Sequence, residues 1–325
     1  MTADPLSIVL PVRNGADYLA AALDSVLAQD DPEFVLHVSD NASTDATPQI
    51  LADYSARDPR IRPSRSEVSL SQVENMNRAV SLAQAPWVCM LCHDDLLRSD
   101  CVAQTRSAIA AVAGTRVALI GNDERHLHAN GYLTAAKPDQ PLRVMGGRAA
   151  LQLRFGGSAE QAPMPAVTTA TFRSDAFTAL GGFSERWVHF DVFAWYRLLT
   201  EWDYAFIPAQ LTINRIHPGQ VAMQARASLR TVTDHRAFMA EFQAEFGQLL
   251  DLPALRMALI APGLAGRALH AELRAGRLRG SLGLLGRMPL RWWPALPLLT
   301  LRAWWQDRRR LVELRGQVPM RLLYP

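Results

Sequence analysis

Lysine is almost missing from this chain of 325 residues. Lys137 stands alone among 34 basic residues, so nearly every cation is an arginine, whose planar fork binds phosphate or carboxylate through two parallel bonds. Cysteine is scarce as well. Only Cys89, Cys92 and Cys101 occur, and the C-x-x-C formed by the first two lacks the second pair that a zinc site needs. These counts exclude a disulfide framework, and thiols inside an apolar run read as buried. No stretch approaches the ~18 apolar residues that read as a membrane-spanning helix. Met1 to Pro5 is polar and runs directly into an apolar segment, so no leader peptide and a cytoplasmic location are expected. Internal repeats and low-complexity tracts are absent too.

What remains is an ordinary globular composition, 49% hydrophobic and 20% charged, long enough for one large domain and an appendage. The net charge of +3 is unevenly spread. Residues 251–325 hold thirteen arginines and four acidic residues, a net +9, which leaves −6 for residues 1–250.

The acidic residues of the first part fall in informative places. The apolar run Val35 to Val38 leads into Ser39-Asp40-Asn41-Ala42-Ser43-Thr44-Asp45, and Trp87 to Cys92 leads into His93-Asp94-Asp95. Short apolar runs separated by helical segments read as buried parallel strands, and ligands of such sheets sit beyond the strands' carboxyl ends. Crowded carboxylates repel and await a cation or ligand hydroxyls. The pattern points to a metal-bound nucleotide.

Periodicity predicts strands at Leu6–Val12, Val35–Val38, around Ile61, Trp87–Cys92, Val117–Gly121, Thr168–Phe172, Tyr204–Ile207 and Leu211–Ile216. It predicts helices over Asp17–Gln29, Ser43 to about Ser55, Ser71–Gln84, Asp100–Ala113, Arg148–Phe155, Ser174–Leu180, Val192–Glu201 and Thr231–Leu250. Residues 122–147 read as a turn-rich surface excursion. The β-α-β order of the first half calls for right-handed crossovers and a parallel sheet.

Four landmarks in order carry a resemblance. They are Ser7-Ile8-Val9-Leu10-Pro11-Val12-Arg13-Asn14-Gly15 with Leu23-Asp24-Ser25-Val26-Leu27-Ala28-Gln29, then Asp40-Asn41-Ala42-Ser43-Thr44-Asp45-Ala46-Thr47. Asn77-Arg78-Ala79-Val80 with Cys92-His93-Asp94-Asp95 follows, and last Gly181-Gly182-Phe183 with Asp191 opening a helix. Together they resemble the inverting family 2 glycosyltransferases over about residues 1–220. The resemblance implies an α/β GT-A fold, a Rossmann-like, mostly parallel sheet flanked by helices. From Ala225 onward the pattern turns almost entirely helical, which divides the chain into a domain of residues 1–225 and an Arg/Trp-rich helical appendage of residues 226–325. The implied enzyme is a metal-dependent, hexosyltransferase-type catalyst that moves a sugar from a nucleotide-diphosphate donor to a glycan or glycolipid hydroxyl in cell-surface synthesis.

By the same resemblance Asp40 accepts from the donor's base, with Pro11, Val12 and Asn14 lining it; an Asx-turn role for Asp40 is the structural alternative. Asn77 stands near the donor, and His93 and Asp94 meet the donor beside the cation. Asp95 holds the Mg²⁺ or Mn²⁺, with Asp94 sharing it and His217 completing the metal site or touching the diphosphate. Cys92 stands where the family commonly has an acidic residue, which leaves the metal's identity open. Asp191 is the general base that takes the acceptor proton, or alternatively a helix cap. Phe190 replaces the family's Glu before it.

The tail sets Trp292-Trp293 and Trp304-Trp305 among arginines and leucines. That mixture suits peripheral docking on an anionic membrane face, or a helical cap on the catalytic domain. No nucleic-acid motif accompanies the charge, so nucleic acid is not expected as a partner. Two rival readings remain: a non-catalytic nucleotide- or glycan-binding relative, and a nucleotidyltransferase, which would carry a Gly-rich phosphate loop that Pro11 to Gly15 does not supply.

Overall fold

The computed structural model describes residues 6–155, 160–217 and 229–250. These fall into two compact units. The first holds residues 6–155, 160–186 and 190–217; the second holds residues 187–189 and 229–250.

In the first unit, β1 (Leu6–Val12), β2 (Phe34–Asp40), β3 (Ile61–Arg65) and β4 (Trp87–Met90) alternate with helices α1 (Ala16–Leu27), α2 (Thr47–Arg57) and α3 (Gln72–Ser81). The strands lie parallel in the order β3-β2-β1-β4. The chain winds outward from β1 to β3, then returns to place β4 on the other side of β1. That reversal opens a crevice at the carboxyl ends of β1 and β4, where an open α/β sheet takes its ligand.

The core follows from the pattern of the sequence. All seven residues of β1 are buried, as expected for a strand covered on both faces. Helix α1 turns Leu19, Ala22, Leu23 and Val26 inward, spaced along one face. Helix α3 starts at Ser71, whose hydroxyl accepts from Glu74 N–H while Glu74 reaches back to the Ser71 N–H, a capping box.

Helix α2 begins later than the hydroxyl-rich run suggests, at Thr47 rather than Ser43. Ser43, Asp45 and Thr47 are used elsewhere. Ser43 Oγ accepts from Asn14 N (2.9 Å), Thr47 Oγ1 from Gly15 N (2.9 Å) and Asp45 Oδ2 from Ala16 N (3.0 Å). These N–H groups open α1, whose own N-cap, Gly15, has no side chain to offer. The β2–α2 loop thus caps a helix that precedes it by some thirty residues.

The second half of the sheet is mixed. It contains β5 (Leu96–Leu97), β6 (Val117–His128), β7 (Arg143–Met145), β8 (Ala170–Arg173) and β9 (Asp203–Ile216). Strand β8 runs antiparallel to both β4 and β6, whereas β9 lies parallel to β6 and antiparallel to β5 and β7. Helices α4 (Cys101–Ala111), α5 (Gly147–Phe155), α6 (Ser174–Ala179) and α7 (Phe190–Glu201) complete this unit.

Two expectations are corrected here. Strand β6 does not end at Gly121 but continues to His128, and Tyr204–Ile207 and Leu211–Ile216 are one strand. The buried first half of β6 is legible as strand; its polar second half forms a ladder with β9 instead of a loop. The register slips between Asn122↔Ile207 and Asp123↔Gln210, leaving Pro208 and Ala209 of β9 without partners on β6. Proline has no N–H to give a ladder and is confined to such irregularities, so it resembles a strand end in the sequence.

Helix α7 is anchored by aromatic packing. Trp195 is fully buried, with ring centroids 5.3 Å from Phe172 and 5.5 Å from Phe183. In the second unit, the Trp187 ring meets Phe238 of α8 (Leu229–Leu250) edge-on at 5.6 Å, and Val188 N donates to Asp234 Oδ2. The Arg/Trp-rich tail from residue 251 lies outside the described residues. No helix among the described residues is long and apolar enough to cross a membrane.

Candidate active site

The loops after β1, β2 and β4 meet at the crevice. Val12 and Asp40 are register partners at the last position of their strands. Asp40 is 2% exposed; its Oδ1 accepts from Ser43 N (3.1 Å), and its other oxygen pairs with the Arg65 guanidinium. Arg65 also donates to Ser43 O (2.7 Å), which ties the end of β3 to the same loop. Asp40 thus takes part in the turn and in an ion pair. Pro11 and Val12 are buried in β1; Asn14 is exposed, with a left-handed backbone (φ 50°), and its Oδ1 accepts from Thr44 N at 2.8 Å.

Beyond β4 the chain turns through Cys92, His93, Asp94 and Asp95, closed by Asp95 N donating to Cys92 O at 3.1 Å. The end of β9 latches onto this turn. Arg215 N donates to Asp95 Oδ1 (2.9 Å), Asn214 Nδ2 approaches Asp95 Oδ2 (3.4 Å), and Arg215 Nε donates to Asp94 O (3.1 Å). His217 Nε2 lies 3.0 Å from Asp94 Oδ2. Tyr18 of α1 packs against His217, the rings tilted by 40° with centroids 4.7 Å apart, and the Arg215 guanidinium lies over the Tyr18 ring (5.1 Å). His93 packs onto Gly15 so closely that a Cβ there would come within 2.6 Å of the imidazole.

Electrostatics marks the turn as strained in charge. Burial, then the neighbouring Asp94 carboxylate, pushes the Asp95 carboxyl up to about 8 from its usual 3.8. Burial also lowers the His93 imidazole. The Cys92 thiol is held well above its ordinary value, first by burial and then by the charges of Asp95, Asp94, Asp191 and Glu124. Asp191 lies in the first turn of α7 and Glu124 on β6, and their charges are the smaller contributions to that rise.

Among the described residues, Cys92, Asp94 and Asp95 each offer one ligand atom, and these atoms lie within 4.8 Å of one another. Two carboxylates and a thiol, one carboxylate 2% exposed, fit a divalent cation, which would offset the repulsion within the turn.

Asn77 is placed differently from the rest. Its Nδ2 donates to Phe183 O and its Oδ1 accepts from Phe183 N, both at 2.9 Å. Gly181 and Gly182 have φ of 87° and 76°, and a Cβ on Gly182 would strike Asn77 Oδ1 at 2.8 Å. Asn77 thus clamps the glycine turn that precedes α7. Thr168, whose Oγ1 accepts from Cys92 N at 3.4 Å, joins Arg65, Glu124, Asn214 and Tyr18 as residues of the site that carry no motif in the sequence. Glu124 was hidden by the polar half of β6, which lacks apolar alternation; Arg65, the last residue of a five-residue strand, carried no signal beyond its charge.

The fold is that of the GT-A glycosyltransferases. A mannosyltransferase, PcManGT from Pyrobaculum calidifontis in complex with GDP-Man and Mn²⁺, aligns with a TM-score of 0.59 at 16% identity, over 94% of this chain and 88% of that one. S. aureus TarS 1-349 in complex with UDP-GlcNAc aligns with a TM-score of 0.58 at 15% identity, over 91% of this chain and 79% of the other. Residues 7–140 match the family model described as glycosyl transferase family 2. A putative teichuronic acid biosynthesis glycosyltransferase, TuaG from Bacillus subtilis (strain 168), is 33% identical over 95 residues, 29% of this chain and 38% of TuaG. The chain spans under half the length of the curated relatives it matches, 38% for TuaG and 15% for an uncharacterized protein, y4gI from Sinorhizobium fredii.

Proposed function

We propose that this chain is an inverting glycosyltransferase that moves a sugar from a nucleotide-diphosphate donor to a hydroxyl acceptor in cell-surface polysaccharide or glycolipid synthesis. The observation that carries this reading is the meeting of the buried Asp40 and the Asp94–Asp95 turn at the carboxyl ends of β2 and β4, on either side of β1.

In this reading Pro11, Val12, Asn14 and Asp40 form the base-binding edge, and Asp40 accepts from the base while Arg65 holds its other oxygen. His93 and Asp94 meet the donor next to the cation. Asp95 and Asp94 hold Mg²⁺ or Mn²⁺, and His217 orients Asp94 or joins them. When bound, that cation neutralises the departing diphosphate. Arg215 keeps Asp95 aimed through its backbone N–H. Asp191 takes the acceptor's proton as its oxygen attacks the anomeric carbon; its place at the start of α7 favours the ionised form a base requires. Asn77 acts from one layer back, by fixing the turn that leads to α7 and so to Asp191. A domain of residues 1–225 with a tail of residues 226–325 remains our division of labour. The tail's excess of arginine and tryptophan supports docking on an anionic membrane face.

The test is a thermal-shift panel of UDP- and GDP-sugars with and without Mn²⁺, followed by turnover of whichever donor stabilises the protein. Asp191→Asn should abolish transfer and retain donor binding. Saturable donor binding with no transfer or hydrolysis by the unaltered protein would replace the enzyme with a binding module.

A further inference from the structure

Cys92 is the first residue beyond the buried end of β4 that faces the acidic turn. It differs in setting from the other two thiols. Cys89 and Cys101 belong to the apolar core, 5% and 3% exposed, whereas Cys92 is half-buried and its Sγ lies within 4.8 Å of both the Asp94 and the Asp95 ligand oxygens. The turn is held by bonds that leave this arrangement intact: Cys92 N to Thr168 Oγ1 (3.4 Å), Asp95 N to Cys92 O (3.1 Å) and Arg215 N to Asp95 Oδ1 (2.9 Å).

We propose that Cys92 Sγ is a direct ligand of the divalent cation that Asp94 and Asp95 hold, so that this chain has a mixed sulfur–oxygen metal site. This rests on the reading that the turn carries the donor's cation. The chemistry follows from the donor set. Mg²⁺ demands oxygen ligands in near-ideal octahedral geometry, whereas a thiolate favours softer or later metals, with Mn²⁺ the weakest of the first-row series and Zn²⁺ well above it. Coordination forms one metal–sulfur bond and breaks the S–H bond, and the proton leaves to solvent. The site should therefore rank Cd²⁺, Zn²⁺ and Co²⁺ above Mg²⁺, and Cys92→Asp should move the preference back toward Mg²⁺ and Mn²⁺.

The experiment titrates the full chain with Cd²⁺ and, separately, with Mn²⁺, and follows thiolate-to-metal charge-transfer absorbance for Cd²⁺ and affinity for both. Cys92→Ser and Asp95→Asn are run beside it, with thermal midpoints recorded to show that each variant folds. The expected result is a charge-transfer band in the unaltered protein that is lost in Cys92→Ser, with affinity reduced by about tenfold or more. Cd²⁺ binding that depends on Asp95 but is unchanged in Cys92→Ser would overturn the thiolate ligand and leave the cation site standing. No binding of either Cd²⁺ or Mn²⁺ to the unaltered protein would overturn both.

Discussion

Replacing Asn77 by alanine separates a clamp from a donor contact. The side chain makes two bonds of 2.9 Å to the backbone of Phe183, a residue 3% exposed. Each such bond contributes about 1 kcal/mol net, and an abandoned buried N–H or C=O costs about 1–3 kcal/mol more. Asn77 is itself half-buried, so water can reach part of the vacated space, which keeps the total near 2–4 kcal/mol. That loss corresponds to a thermal midpoint lowered by about 5–15 °C. The damage should travel to α7, because Phe183 packs on Trp195 and Phe190, the residue before Asp191. The assay is urea denaturation with a parallel titration of UDP or GDP, whichever binds. Stability should fall while nucleotide affinity stays within about twofold, a difference below ~0.5 kcal/mol. A stability change under ~0.5 kcal/mol together with a tenfold loss of nucleotide affinity would refute the clamp.

The Asp95 carboxyl, raised from 3.8 to about 8, favours the fold while protonated; that contribution is present below 3.8 and is lost as the pH climbs through about 8. Asp95→Asn should therefore overtake the metal-free wild type in stability above pH 8, and parallel melting curves from pH 5 to 9 would count against the buried acid. Gly15→Ala puts a methyl 2.6 Å from both the His93 ring and Val12; overpacking of about 1–3 kcal/mol and a displaced His93 should weaken nucleotide binding, measurable by calorimetry. Trp195→Ala should cost about 3–5 kcal/mol in denaturant unfolding, since the ring is fully buried among Phe172, Phe177 and Phe183.

Much of this fold can be read from the residues because burial and periodicity agree in β1, β2, β4, α1 and α3. The acidic turn was legible for the same reason: it interrupts an apolar strand with two carboxylates. Legibility fails where tertiary pairing overrides local pattern. The second half of β6 has no apolar alternation, and Pro208 looks like a terminator until β9 is seen to bulge around it. The partners of the site were hidden differently. Nothing local in Asn214 or Tyr18 reveals that they meet Asp95 and His217, because those contacts join residues far apart in the chain. Asn77 was found as a motif residue, but its destination, Phe183, is 106 positions away.

The helix that follows β1 is finished by hydroxyls and a carboxylate borrowed from the segment after β2. Anyone transplanting a specificity loop into this scaffold must therefore graft the two stretches together. A foreign segment without Ser43, Asp45 and Thr47 would strip α1 of its closing bonds and shift Gly15 and His93, far from any residue the engineer had intended to change.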